Sequence, residues 1–244
     1  MLSQKTIKKI RKEAIKIDWE DAFGGKSKGN QHLYRVTEVA KFLASELGAN
    51  TLIVEAGALL HDTPLPSGDD YNYENNKRIV KKLLEKYDIT EKERAQIAEC
   101  VASHEGTREP KTLEAKIVHD ADALEKAGTL GLIRHTWKLT NLDHINSKNI
   151  TEESVNKVLE HLEWRKSRLQ TDLAKQIHNY LSATLSKEKT KELVSEIAPL
   201  AKEGVITEEI AKMLSSNLNS NQREKLKEQL NLTYFSSFKS ITQG

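Results

Sequence analysis

Apolar residues recur along most of the chain at spacings of three and four, the period of a helix that buries one face. Ile7, Ile10, Ala14 and Ile17 make the first such stripe, with Ser3 placed to cap it. Val36, Val39, Ala40, Leu43 and Leu47 make the second, and Gly48 offers a left-handed stop. Asn50 is positioned to cap a third helix over Leu52–Leu60, apolar on most faces and therefore expected at the centre of a core. Pro64 and Pro66 break the pattern, since each lacks a backbone donor. Further helices are predicted from Tyr73 to Tyr87, from Thr90 to His104 with Thr90 and Glu93 as a capping box, and from Leu113 to Lys126. Gly128 and Gly131 are expected to interrupt before a helix over Leu132–Leu139. Beyond Thr151 one long stripe runs from Val155 to Leu181, followed by shorter helices near 187–203, 207–216 and 221–235. No stretch alternates with the period of a strand. The fold class expected is all-α, with a bundle core over residues 1–145 and a helical C-terminal extension over 146–244 that packs on it.

Composition narrows the class. Of 244 residues, 37% are hydrophobic and 30% charged, enough to build a core and too apolar for wholesale disorder. No apolar run is long enough to span a bilayer, and Met1–Lys5 has no secretory pattern, so a cytoplasmic protein with no membrane partner is expected. One cysteine, Cys100, excludes a disulfide framework and a multi-thiolate zinc site, and its apolar neighbours read as core. Lys and Arg number 38 against 36 Asp and Glu, too even a balance for a general nucleic-acid binder.

The informative residues are polar groups set in apolar helices. His61 and Asp62 end the most apolar helix, where a carboxylate is costly unless it is paired or holds a metal. His32 opens the second helix, and Asp122 borders the apolar face of a later one. Each has a bland reading: a satisfied core histidine, a solvent-facing helix start, a partner for a surface cation. Together, two imidazoles and two carboxylates suit a first-row divalent ion or magnesium and leave open positions for water and a phosphoryl oxygen.

His32-Leu33-Tyr34-Arg35-Val36, Leu59-Leu60-His61-Asp62 and Asp120-Ala121-Asp122-Ala123-Leu124 resemble the HD-domain superfamily of metal-dependent phosphohydrolases, in particular its small stand-alone microbial members, over roughly residues 25–140. The resemblance implies that His32, His61, Asp62 and Asp122 hold one divalent ion (Mn, Mg, Co, Ni, Fe or Zn). It also implies a reaction on a phosphate ester, with a nucleotide as the expected small-molecule partner. Asp120 competes for the last place, but two residues along a helix is about 200° round its axis, so both cannot easily point inward. Asp122 is chosen because the family's final Asp precedes a small residue and Leu.

The chain departs from the pattern after the His-Asp pair. Where some relatives carry acids that activate water, it has Leu65 and Pro66. Asp62 itself and His104 are the expected catalytic groups, with Asp69, Asp70, Glu74 and Glu105 as other candidate bases. His104 and His119 are the candidates for a second metal position, and a full two-metal site is not expected. Lys28, Arg35 and Arg134 are expected to meet phosphate, Arg35 alternatively holding a carboxylate. The alternative function is a metal- and nucleotide-binding sensor, or a helical interaction protein, without turnover; a second copy of the chain is a candidate partner.

Overall fold

The computed structural model describes residues 1–68, 71–105, 108–182 and 186–236; Asp69 and Asp70 lie outside them. The protein is all-α, with twelve helices, three short 3-10 segments and no strand among the described residues. The chain divides into two compact units, Met1–Asp122 and Ala123–Gly244.

The first unit holds α1 (Gln4–Glu20), α2 (His32–Leu47), α3 (Thr51–Leu60), α4 (Tyr73–Leu84), α5 (Glu91–Ala102) and most of α6 (Leu113–Glu125). Local chemistry sets the boundaries. Ser3 caps α1 by accepting from the Thr6 amide, and Asn50 caps α3 by accepting from Leu52 and Ile53. Gly48 ends α2 at φ 71°, a conformation that spares glycine the Cβ clash. Thr90 and Glu93 form the capping box of α5, and Glu93 Oε1 also accepts from the Leu2 amide at 2.9 Å, tying the N-terminal strand of chain to that helix.

α3 is the hub and packs against α1, α2 and α5. Eight of its ten residues, Ile53 to Leu60, are buried. Each large apolar side chain withdrawn from water there stabilises the fold by about 1.5–3 kcal/mol. Glu55 is the exception in kind; its carboxylate, buried in this face, takes a hydrogen-bonded ion pair from Arg11 at 2.8 Å. Gly57 lets α3 and α5 approach closely, since a Cβ at that position would stand 2.7 Å from the Cβ of Cys100. Cys100 is wholly buried, and burial pushes its thiol pKa up, which removes it as a nucleophile.

The second unit holds α7 (Gly128–Asn141), α8 (Glu152–Ser167), α9 (Asp172–Leu181), α10 (Lys187–Lys202), α11 (Thr207–Leu214) and α12 (Ser220–Asn231). α7 is its centre and packs against each of the other five. Two expectations are corrected here. Gly131 does not interrupt a helix: α7 begins at Gly128 and runs through Gly131, whose amide bonds the Ala127 carbonyl at 2.8 Å. A side chain there would meet the Lys126 carbonyl at 1.9 Å, so glycine permits the tight entry rather than breaking the helix. The long stripe from Val155 to Leu181 is two helices, because Thr171 caps α9 afresh and Leu169 is buried in the link.

Candidate metal centre

The His-Asp pair lies where α3 gives way to the proline turn. His61 follows the helix directly and stands three residues beyond Ala58, whose carbonyl accepts from its Nδ1 at 2.7 Å. A carbonyl can only accept, so Nδ1 carries hydrogen and Nε2 is turned the other way. His104 repeats the device after α5: its Nδ1 donates to the Val101 carbonyl, again three residues back, at 2.6 Å. Each imidazole thus satisfies one of the carbonyls that a helix end leaves without a partner and aims Nε2 outward. A histidine three residues past an expected carbonyl is visible in the sequence, but its orientation is not.

His32, in the first turn of α2, brings its Nε2 to 3.2 Å from Nε2 of His61. Oδ2 of Asp62 lies 3.4 Å from the first nitrogen and 3.3 Å from the second. Oδ1 of Asp122 lies 3.4 and 3.5 Å from the same two. His32, His61 and Asp122 are all buried, with ligand atoms within 4.8 Å of one another. Asp122 is therefore the carboxylate of α6 that reaches the two imidazoles; Asp120 is also wholly buried.

These spacings test the fit of an ion. Ligands about 2.1 Å from a first-row divalent cation are separated by about 3.0 Å at octahedral right angles and about 3.4 Å at tetrahedral ones. The five separations, 3.2 to 3.5 Å, fall in or within a tenth of an ångström of that range. The donor set, two imidazole nitrogens and two carboxylate oxygens, also suits such an ion.

Electrostatics agree with a site that wants a cation. Burial opposes charge on His61, but the adjacent Asp62 and Asp122 override it and raise its pKa well above the usual imidazole value. Burial would likewise raise Asp62, yet the charge of His61 and a hydrogen bond with His32 hold its carboxyl well below the ordinary range. The same carboxylates that favour charge on His61 favour a cation held among them.

His104 stands beside the cluster. Its ring meets His61 edge to face at 5.1 Å, and its Nε2, wholly buried and without a hydrogen bond, lies 4.0 Å from Oδ1 of Asp62. Burial, then the neighbouring charge of His61, lower its pKa to about 4, so the ring is neutral. His119 of α6 donates from Nδ1 to the His104 carbonyl at 2.8 Å, a backbone link that its sequence position did not disclose.

The other expected residues lie as follows. Lys28 is exposed in the loop before His32, and Arg35, one turn into α2, is 3% exposed. Arg134, in the second unit, is engaged by the buried carboxylate of Glu125 at 3.5 Å and reaches Thr207. Glu74 is exposed and pairs with Arg108, while Glu105 is buried.

Residues 30–127 match the HD domain family. This stretch of the chain is an HD domain. Its curated relatives include Ribonuclease Y of Desulforamulus reducens, 33% identical over 98 residues, which are 40% of this chain and 18% of that protein. Ribonuclease Y of Thermosipho melanesiensis is 36% identical over 97 residues, again 18% of its length. The HD-containing chain thus spans less than a fifth of the relatives it matches. Among solved structures, an HD-superfamily hydrolase from Bacillus thuringiensis is 24% identical, with a TM-score of 0.54, over 88% of this chain and 99% of that one. Bacillus subtilis YpgQ in complex with ADP is 20% identical, with a TM-score of 0.53, over 81% and 97%. At such identities the likeness is one of fold, and the fold extends well past the HD domain. No described helix is long and apolar enough to cross a membrane.

Proposed function

We propose that the protein is a metal-dependent phosphohydrolase in which His32, His61, Asp62 and Asp122 hold one divalent ion. The observation that carries this reading is the set of separations between two imidazole nitrogens and two carboxylate oxygens, 3.2 to 3.5 Å, at a largely buried point of the HD domain. A divalent ion bound there supplies Lewis acidity, easing loss of a proton from water and drawing charge from a phosphoryl oxygen.

The chain's own groups do the rest. The Ala58 carbonyl fixes His61 so that Nε2 faces the ion site. Asp62 presents Oδ2 to the imidazoles and Oδ1 toward His104, so Oδ1 and the neutral Nε2 of His104 are the acceptors placed to hold and orient an attacking water, whose proton the ion would loosen. Lys28, exposed ahead of His32, supplies a point charge for phosphate, and Arg35, buried one turn into α2, offers a guanidinium for phosphate or for a carboxylate. A nucleotide is the proposed substrate; the fold neighbour from Bacillus subtilis, solved with ADP, supports it, and the Ribonuclease Y relatives make short RNA the comparison substrate.

The test is phosphate release from nucleoside mono-, di- and triphosphates, from a generic phosphate ester and from short RNA, with Mn, Co, Ni or Mg. Turnover of a nucleotide is expected, lost by a factor of about a thousand or more when His61→Ala and Asp62→Ala are combined. Activity that survives the double substitution would sink the assignment.

A further inference from the structure

The even balance of charge over the whole chain hides how charge is distributed on α1. Lys5, Lys8, Lys9, Lys12 and Lys16 are all exposed on this one helix of the first unit. At about 100° per residue, Lys5, Lys9, Lys12 and Lys16 lie within an arc of about 60°, and Lys8 widens it to about 100°. Ile7, Ile10 and Ala14 are buried on the opposite side, where α1 packs against α3. The lysines thus form a single row about 16 Å long.

Acids do not answer this row. Among the described residues no carboxylate pairs with Lys5, Lys8, Lys9 or Lys12, and Lys16 has only Glu20, at the end of the helix, at 3.8 Å. Glu13 is engaged by Lys86 and by the Tyr87 hydroxyl at 2.5 Å, Asp18 is buried, and Arg11 is turned to Glu55. Helix stability gives no reason for the row either. Lys5 and Lys9, Lys8 and Lys12, and Lys12 and Lys16 stand four residues apart, where like charges repel. The first turn of α1 carries Lys5 and no acid, at the end where the helix dipole is positive and favours acids. In contrast, α4, α5, α6 and α8 to α11 each carry an acid in that turn.

From this we infer that the lysine row of α1 binds the sugar-phosphate backbone of a single-stranded nucleic acid. Point charges spaced about 5–6 Å apart along a line suit a linear polyanion with regularly placed phosphates. Every exposed residue of α1 is polar, so the row offers a protein partner no apolar anchor. The apolar face of the helix is packed against α3 and has nothing to sink into a lipid surface. No exposed aromatic side chain stands on α1 for bases to stack on, so the backbone alone is recognised, and RNA and DNA bind alike. Contact of this kind needs no metal, so the inference stands or falls apart from the ion site of the HD domain.

The experiment is fluorescence anisotropy of labelled single-stranded RNA and DNA of about 15 nucleotides with the full chain, freed of metal by chelation. Binding of both is expected. The logarithm of the binding constant should fall with the logarithm of salt concentration at a slope of about −2 to −3.5, three to five phosphates at about 0.7 each. Lys9→Gln with Lys12→Gln should weaken binding at least tenfold at low salt and flatten the slope by about 1.4. Lys212→Gln with Lys227→Gln, two exposed lysines of the second unit, should leave it unchanged, as should His61→Ala. No binding of either strand, or equal losses in the α1 and second-unit variants, overturns the surface. Capture of the protein by vesicles of anionic lipid when neither oligonucleotide binds overturns it too, and loss of binding in His61→Ala would move the strand to the ion site. The salt slope of the wild-type protein needs no variant to fold, and a slope near zero overturns the row by itself. Hydrolytic activity lost in His61→Ala while oligonucleotide binding persists separates this inference from the proposed reaction.

Discussion

A single histidine shows how much one side chain settles in this protein. His61 closes the last turn of α3 through Nδ1 and faces Asp62, Asp122 and His32 through Nε2. Its pKa is raised well above the usual value in the metal-free state, so at neutral pH an incoming ion must displace a proton. The sign follows: binding releases a proton, and affinity strengthens as pH rises until the folded-state pKa is passed. Titrations of Mn into the metal-free protein between about pH 6.5 and 8.5 should show Kd falling by up to about tenfold per pH unit. An affinity flat with pH would mean that the proton and the ion do not compete. The sequence brings the four residues into view through their motifs, because residue type and local spacing are what a motif records. It says nothing of the Ala58, Val101 and His104 carbonyls that orient the three histidines His61, His104 and His119, because those depend on where each helix ends in space. Nor does it disclose that Arg134 is met by Glu125, a partner nine residues away that the fold selects.

At the scale of the helix, periodicity and capping chemistry were readable wherever they were local. Ser3, Asn50 and Thr90 cap the helices that their positions suggest. Thr90→Ala removes the acceptor for the Glu93 amide, at 3.2 Å, and is expected to cost about 1 kcal/mol in a urea melt. Glycine was the harder signal, since its meaning depends on what lies across from it. Gly131 looked like an interruption and is a point of close entry inside α7; Gly57 drew no notice and marks a close approach of α3 to α5. A methyl group at Gly57 would meet the Cys100 Cβ at 2.7 Å and Val118 Cγ2 at 3.2 Å, neither at the far end of a flexible side chain. Gly57→Ala is therefore expected to destabilise by about 1–3 kcal/mol by overpacking. It should also weaken metal binding, because α3 carries His61 and Asp62 at its end. Unchanged stability would show that the two helices separate at no cost. The stripe from Val155 to Leu181 was misread for a related reason: an apolar period can continue through a capped break when the linking residue, here Leu169, is also buried.

Over the whole molecule, buried histidines set how stability responds to acid. His104 and His178 have pKa values lowered to about 4, and His135 lies well below the ordinary value; burial is the main cause in each. For such a group the folded state resists a proton that the unfolded chain accepts near pH 6.5. The stability it contributes is present above about pH 6.5 and is lost as pH falls toward about 4. His61 runs the opposite way: its raised pKa stabilises the metal-free protein below about pH 6.5, and that contribution fades as pH rises through the folded value. His104, His135 and His178 therefore each favour the folded state above that window, and His61 below it. His178 isolates the effect, because it is none of the candidate ligands, with Nδ1 3.0 Å from the Ser182 hydroxyl and Lys166 as the nearby charge that adds to burial. Asparagine can keep the polar contact without the titration. His178→Asn should narrow the gap in unfolding free energy between about pH 7 and about pH 4.5 by about 1 kcal/mol, once solvent screening is set against about 1.4 kcal/mol per pKa unit. Urea melts of the chelated protein at the two pH values measure it. A gap that the substitution leaves untouched would move the acid sensitivity from His178 to His104 and His135, where the same experiment can follow it.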